Sequence, residues 1–162
     1  MTEDDVTDAA RALGRLCLKK RVVVATAESC TGGGVATAIT RISGSAKWFD
    51  RAFVTYSNEA KMEMLGVRQN TLKRFGAVSE EVAREMARGA LRRSPADLSV
   101  AITGIAGPTG GSRRKPVGTV WFAWAARGQL VQARHFRFAG DRVAVRIQSV
   151  AVAIQGLRDL LR

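Results

Sequence analysis

Residues 25–34 read ATAESCTGGG, bringing a carboxylate, a hydroxyl, a thiol, a second hydroxyl and three glycines into one short stretch. Ser29 and Cys30 are nucleophile types, and either needs a base to take its proton. The lone histidine, His135, stands far downstream. Tyr56, the only tyrosine, and Lys61 offer another source. A lysine works as a base once burial lowers its pKa toward neutrality. A tyrosine can relay the proton, its phenolate favoured by the lysine charge. If the strands ending at Ser29 and Tyr56 are neighbours, Ser29, Tyr56 and Lys61 converge on one rim. The amides from Thr31 through Gly32 and Gly33 to Gly34 then open a helix and face a developing oxyanion or a phosphate.

The same residues have plain structural uses. Ser29 or Thr31 serves as a helix N-cap. Cys30 serves as a small buried hydrophobe. Lys61 on an exposed helix is a solvated side chain, and His135, on a strand with Phe136 and Phe138, is a surface or packed residue. Spacing alone leaves both sets of roles open.

The familiar fingerprints fail. The loop GPTGGSRRK lacks the Gly-Lys-Ser/Thr of a phosphate loop, and Thr37 stands where a dinucleotide motif needs its third glycine. Gly32 follows Ser29 where a Ser-x-x-Lys acylation motif needs lysine. Tyr56 and Lys61 are too far apart for the Tyr-x-x-x-Lys of short-chain dehydrogenases. One histidine and two cysteines, Cys17 and Cys30, offer no metal-ligand spacing.

The elements that must position these residues are legible from periodicity. Apolar steps predict a helix over 5–18, and VVVATA (22–27) reads as a buried strand. A helix to about Ile42 follows the glycines. WFDRAFVTYS is a second strand, NEAKMEML a short helix ended by Gly66, and 70–75 a further turn or helix. Ser79 caps a helix closed off by Pro95. DLSVAITG (97–104) is a strand that empties into a long loop. Two strands joined at Arg127-Gly128 form a hairpin. A last helix starts near Asp141, with Val143, Ile147, Val150, Ile154, Leu157 and Leu161 as its apolar stripe. The pattern predicts an α/β fold, a three-layer α/β/α sandwich with a mixed central sheet, as a single domain over 1–162. Loops 28–34, 56–61 and 103–118 lie beyond strand ends, where such sheets bind ligands.

Composition bounds the rest. At 162 residues, 46% apolar and 25% charged, the chain resembles an ordinary soluble domain. The acidic start MTEDDVTDAA is no secretory signal, and no run reaches membrane-span length, so a cytoplasmic protein with reduced thiols and no membrane contact is expected. The net charge of +12 suits either nucleic acid or the attraction of phosphorylated small molecules. The basic residues are scattered without an aromatic-interleaved stripe, so nucleic acid is not the expected partner.

Four segments then carry a resemblance: AESCTGGGVATAIT, GSAKWFDRAFVTYSNEAKMEMLGV, GAVSEEVAREMARGA and AITGIAGPTGGSRRKPVGTV. In this order they resemble the C-terminal domain of the competence/damage-inducible protein CinA, over about residues 5 to 160. The family includes stand-alone nicotinamide-nucleotide amidases. Without the additional N-terminal domain of the larger relatives, this chain resembles that type. The resemblance implies deamidation of nicotinamide mononucleotide to nicotinic acid mononucleotide and ammonia, with Ser29 as nucleophile and Tyr56 and Lys61 as its base. It puts Thr103 and Gly104 of the TGIAGP loop in the pocket wall. Cys30, Thr31, Gly32, Gly33 and Gly107 fall among the oxyanion and substrate-binding positions. Arg142, Lys115 and the 104–111 loop are the candidates for the phosphate. Ala52 and Ser149 depart from the glycine and threonine common in relatives, and Ala52 is expected to narrow the approach to the second strand. The implied reaction needs neither metal nor cofactor. Its partner is a small-molecule nucleotide substrate, and a homodimer is compatible with it. A non-enzymatic protein of competence or DNA repair is the alternative.

Overall fold

The computed structural model describes residues 1–162. Helix α1 (Glu3–Lys20) opens on a capping box between Thr2 and Asp5 and carries acids in its first turn and lysines in its last, complementing the helix dipole. There follow strand β1 (Val24–Glu28), helix α2 (Gly34–Thr40), strand β2 (Phe49–Val54) and helices α3 (Asn58–Leu65), α4 (Gln69–Phe75) and α5 (Glu80–Arg92). Strands β3 (Leu98–Gly104), β4 (Thr119–Ala126) and β5 (Gln132–Arg137) lead to helix α6 (Arg142–Leu160). The five strands form one sheet in the order β2-β1-β3-β4-β5. β1 pairs in parallel with β2 and β3, β4 runs antiparallel to β3, and β5 antiparallel to β4.

Helices cover both faces, giving the three layers that the alternating pattern predicts. The two faces are built differently. Leu98, Val100, Ile102, Val120, Phe122 and Trp124 point toward α1, α2 and α6. Ala25, Ala27, Ala101, Ala123 and Ala125 point toward α5. Small side chains let α5 lie close to the sheet. α5 also presses on the end of α3, where a Cβ on Gly89 would overlap the Leu65 carbonyl oxygen. This close layer holds α3, and with it Lys61, against the strand ends.

Two expectations are corrected. The stripe on α6 includes Val145, Ser149 and Ala153, whereas Val143, in the first turn, is 62% exposed because the helix begins beyond the edge of the core. Ala52 pairs with Thr26 in mid-strand, so it does not stand at the approach to the strand end.

Candidate active site

The turn after β1 is fastened from both sides. Ser29 donates its N–H to the Ile102 carbonyl at 3.0 Å, and the Glu28 carbonyl accepts from Thr55 N–H at 2.8 Å. The chain then reverses into α2 through Gly32 (φ +55°) and Gly33 (φ +93°), left-handed conformations that favour glycine. Glu28, fully buried, locks this reversal. Its carboxylate accepts from the hydroxyls of Thr26 (3.0 Å) and Thr31 (2.7 Å) and from the N–H groups of Val35 (2.9 Å) and Ala36 (3.0 Å). The opening turn of α2 is thus capped by this carboxylate. Sequence reasoning gave Glu28 no role; an acid between two threonines just before a helix start is the only signal it carries.

The turn uses its own amides selectively. Gly32 and Gly34 N–H groups bond to the Ser29 and Thr31 carbonyls, at 3.0 and 2.9 Å. The N–H groups of Cys30, Thr31 and Gly33 donate to no carbonyl of another residue. Of the amides expected from Thr31 to Gly34 to face a ligand, Gly32 and Gly34 are therefore already engaged. Cys30 joins the free set through its main chain.

Lys61 arrives from the neighbouring strand end. Ser57 caps α3 by accepting from Ala60 N–H at 3.0 Å, which fixes the helix start just past β2. Helical side chains lean toward the N-terminus, so Lys61, in the first turn, reaches back to the strand ends. Its Nζ lies 3.0 Å from Ser29 Oγ, 3.0 Å from the Thr55 carbonyl and 3.2 Å from the Tyr56 carbonyl. Lys61 is only 1% exposed, and desolvation pulls its pKa below the ordinary lysine value. A neutral amine has two N–H bonds and one lone pair. The two carbonyls match the N–H bonds, which leaves the lone pair for the Ser29 hydroxyl.

The structure does not bring the Tyr56 side chain to this pair. Tyr56 is 62% exposed, and its hydroxyl accepts from Arg142 at 3.1 Å. Arg142, the first residue of α6, also donates to the Gly107 carbonyl at 2.8 Å and so ties the β3–β4 loop to the β2–α3 turn. Arg146, one turn on, donates to the Thr31 carbonyl at 3.2 Å. Sequence reasoning missed Arg146, whose only signal was its spacing of four from Arg142.

The remaining residues divide as follows. Cys30 is buried with its thiol pushed up to about 12 by desolvation, so it stays protonated at neutral pH. Thr103 is buried and donates to the Ala77 carbonyl at 2.9 Å, forming a wall beside Ser29. A Cβ on Gly104 would press on Val120 and on the Thr119 carbonyl of the adjacent strand. Lys115 turns to the end of α4, its Nζ 2.7 Å from the Phe75 carbonyl. His135 lies tilted against Trp121, ring centroids 4.5 Å apart, toward the β5 edge of the sheet and away from Ser29.

A serine hydroxyl facing a buried lysine, beside free main-chain donors, is equipped for nucleophilic attack on a carbonyl. The family model of the CinA C-terminal domain matches residues 6–161. This chain belongs to the CinA C-terminal domain family. It is 55% identical over 158 residues to the nicotinamide-nucleotide amidohydrolase PncC of Escherichia coli (strain K12), covering 97% of this chain and 95% of that protein. It is 49% identical over 157 residues to the protein of the same name from Pseudomonas putida, covering 97% and 98%. Among solved structures, the competence/damage inducible protein CihA of Agrobacterium tumefaciens superposes with a TM-score of 0.96 at 46% identity, covering 98% of this chain and 96% of that one. The family also has longer members. A putative competence-damage inducible protein of Caldicellulosiruptor saccharolyticus is 48% identical over 146 residues, 90% of this chain but 35% of that protein.

Proposed function

We propose that this chain is a nicotinamide-nucleotide amidohydrolase that converts nicotinamide mononucleotide to nicotinic acid mononucleotide and ammonia. The observation that carries the reading is the 3.0 Å contact between Ser29 Oγ and a lysine withdrawn from water. The Escherichia coli and Pseudomonas putida relatives bear that activity in their names, and this chain spans nearly their whole length.

In the reaction, neutral Lys61 takes the Ser29 proton as Oγ attacks the carboxamide carbon. The oxyanion that forms is held by the free N–H groups of Cys30, Thr31 and Gly33. As the intermediate collapses, the C–N bond breaks and the Lys61 ammonium returns its proton to the departing nitrogen, releasing ammonia. Water then attacks the acyl ester, giving its proton to Lys61. Ser29 leaves with that proton, and the carboxylic acid so formed gives up its own proton to solvent, where ammonia takes it up, leaving the carboxylate. Tyr56 acts here at the rim rather than in the proton path. With Arg142 it forms a hydrogen-bonding edge for the phosphate end of the substrate. The nucleotide is drawn from the cytoplasmic pool, where Cys17 and Cys30 stay as the free thiols they are here.

The test is ammonia release from nicotinamide mononucleotide by the purified protein, followed beside the formation of nicotinic acid mononucleotide. The parent protein is expected to release both in equal amounts and Ser29→Ala to release neither. A parent protein without turnover, or a Ser29→Ala variant at the parent rate, overturns the reading.

A further inference from the structure

Ser29 belongs to a row of side chains that crosses the sheet. Residues of one parity on each strand share the α5 face. Ser29, one residue beyond the Glu28–Ile102 pair, stands level with Thr103. Thr103 pairs with Trp121, and Trp121 with His135. Adjacent members are spaced by about 4.8 Å, the distance between strands. The Thr103 bond to Ala77 divides the row. On one side lies Ser29 with Lys61. On the other a separate cavity of about 650 Å³ opens over Trp121 and His135.

Nothing in the proposed reaction uses this chamber, and its lining is unlike the rest of the face. Trp121 is the one large aromatic residue of β4 on a side otherwise lined by Ala123 and Ala125. It lies at the start of α5, partly buried against that helix's core cluster, and its remaining surface faces the cavity with His135 tilted against it. Arg74, Arg114 and Lys115 bring three cations to the lining. Arg114 makes no hydrogen bond or salt bridge in the protein, and Lys115 keeps donors to spare beyond its bond to the Phe75 carbonyl. Of the two carboxylates present, Glu80 is neutralised by Arg84 at 2.8 Å, which leaves Glu81 as the single opposing charge. An aromatic pair beside an excess of cations, in a volume of small-ligand size, matches a ring joined to a phosphate.

We propose that this chamber is a second binding site, for a nucleotide whose base stacks on Trp121 and His135 and whose phosphate meets Arg114 and Lys115. It stands apart from the Ser29 site and does not depend on what that site hydrolyses. Its lining and the Ser29 site share the β3–β4 loop. Lys115 sits on one limb and Gly107, bonded to Arg142, on the other.

Adenosine monophosphate is the probe, and the Ser29→Ala variant is the background, so that no turnover is involved. Trp48 and Trp124 are buried in the opposite layer, which makes Trp121 the tryptophan that a bound base will quench. Saturable quenching is expected. Arg114→Ala, a change at an exposed side chain, is expected to weaken binding about tenfold or more, as loss of a charged hydrogen bond does. By calorimetry, Trp121→Leu is expected to weaken it by about tenfold through lost stacking. In the active protein, Arg114→Ala is expected to leave ammonia release unchanged. Absence of binding at millimolar probe, affinity unchanged in both variants, or simple competition between the probe and nicotinamide mononucleotide for one site overturns the proposal. Failure of the amidase assay alone leaves it standing.

Discussion

Ser29–Lys61 and Tyr56–Arg142 each pair a hydroxyl with a basic side chain at the same end of the sheet, at 3.0 and 3.1 Å. Distance does not tell them apart. Lys61 is 1% exposed, and Tyr56 is 62% exposed. Burial lowers the lysine pKa, so its lone pair becomes available at a lower pH than that of a lysine in water. A guanidinium offers donors and no lone pair, so Arg142 can hold an acceptor at the rim but cannot serve as a base. The comparison teaches that the cation's titratability and its access to water, more than the contact itself, decide which pair does chemistry.

The sharpest way to break this contrast is Lys61→Met, which fills similar volume without an amine. Turnover is expected to fall by about 10² to 10⁴, the range for loss of a general base, measured as ammonia release. In the parent protein, kcat/KM should rise with pH through an apparent pKa below the ordinary lysine value of about 10.4. The stability consequence has a definite sign. The unfolded chain holds the Lys61 proton more tightly than the folded one, so burial costs stability below the folded pKa. The cost vanishes as pH rises to the unfolded value. Lys61→Met should therefore gain on the parent in thermal unfolding at neutral pH, and the gain should shrink toward pH 10. A variant that keeps parent turnover ends the assignment.

Glu28→Gln probes the support of the buried pair. One acceptor oxygen becomes a donor facing donors, so about 2 kcal/mol or more of stability should be lost in urea unfolding. A variant as stable as the parent would show that the four bonds to Glu28 do not hold the turn.

Tyr56→Phe tests the exposed pair. It removes one hydrogen bond at the rim, and a rise of up to about tenfold in KM with little change in kcat is expected. Its effect should add to a partial Lys61 defect, since the two side chains do not touch. A collapse of kcat in Tyr56→Phe would instead place the phenol in the proton path, as the resemblance implies. The smallest effect is expected for Cys30→Ala. With its thiol held near 12 the sulfur is no nucleophile, and most turnover should remain. Steady-state kinetics on that variant decides it.

The sequence by itself determined the elements and the neighbourhood of the site. The periodicity of α1 and α5, the capping serines and the β-branched run in β1 are local signals, so the helices and strands could be placed from them. Alternation of helices with strands implied a layered mixed sheet. The types of Ser29, Tyr56 and Lys61, near two strand ends, raised a serine nucleophile with a Tyr–Lys base as one reading beside plain structural roles, and the resemblance favoured it. The tertiary structure decided what each residue meets. No local pattern states that Lys61 is buried, because its burial depends on α5 pressing α3 onto the sheet through small residues far along the chain. Nor does spacing state where an aromatic side chain turns. Tyr56 follows β2 closely enough to suggest a partnership with Lys61, but its hydroxyl goes to Arg142, 86 positions away. Glu28 looked like one more acid in a polar turn. Only the folded reversal shows four donors converging on it. Charge, pKa and reach depend on the water that a group has lost and the partners that replace it, and those are supplied by segments distant in sequence.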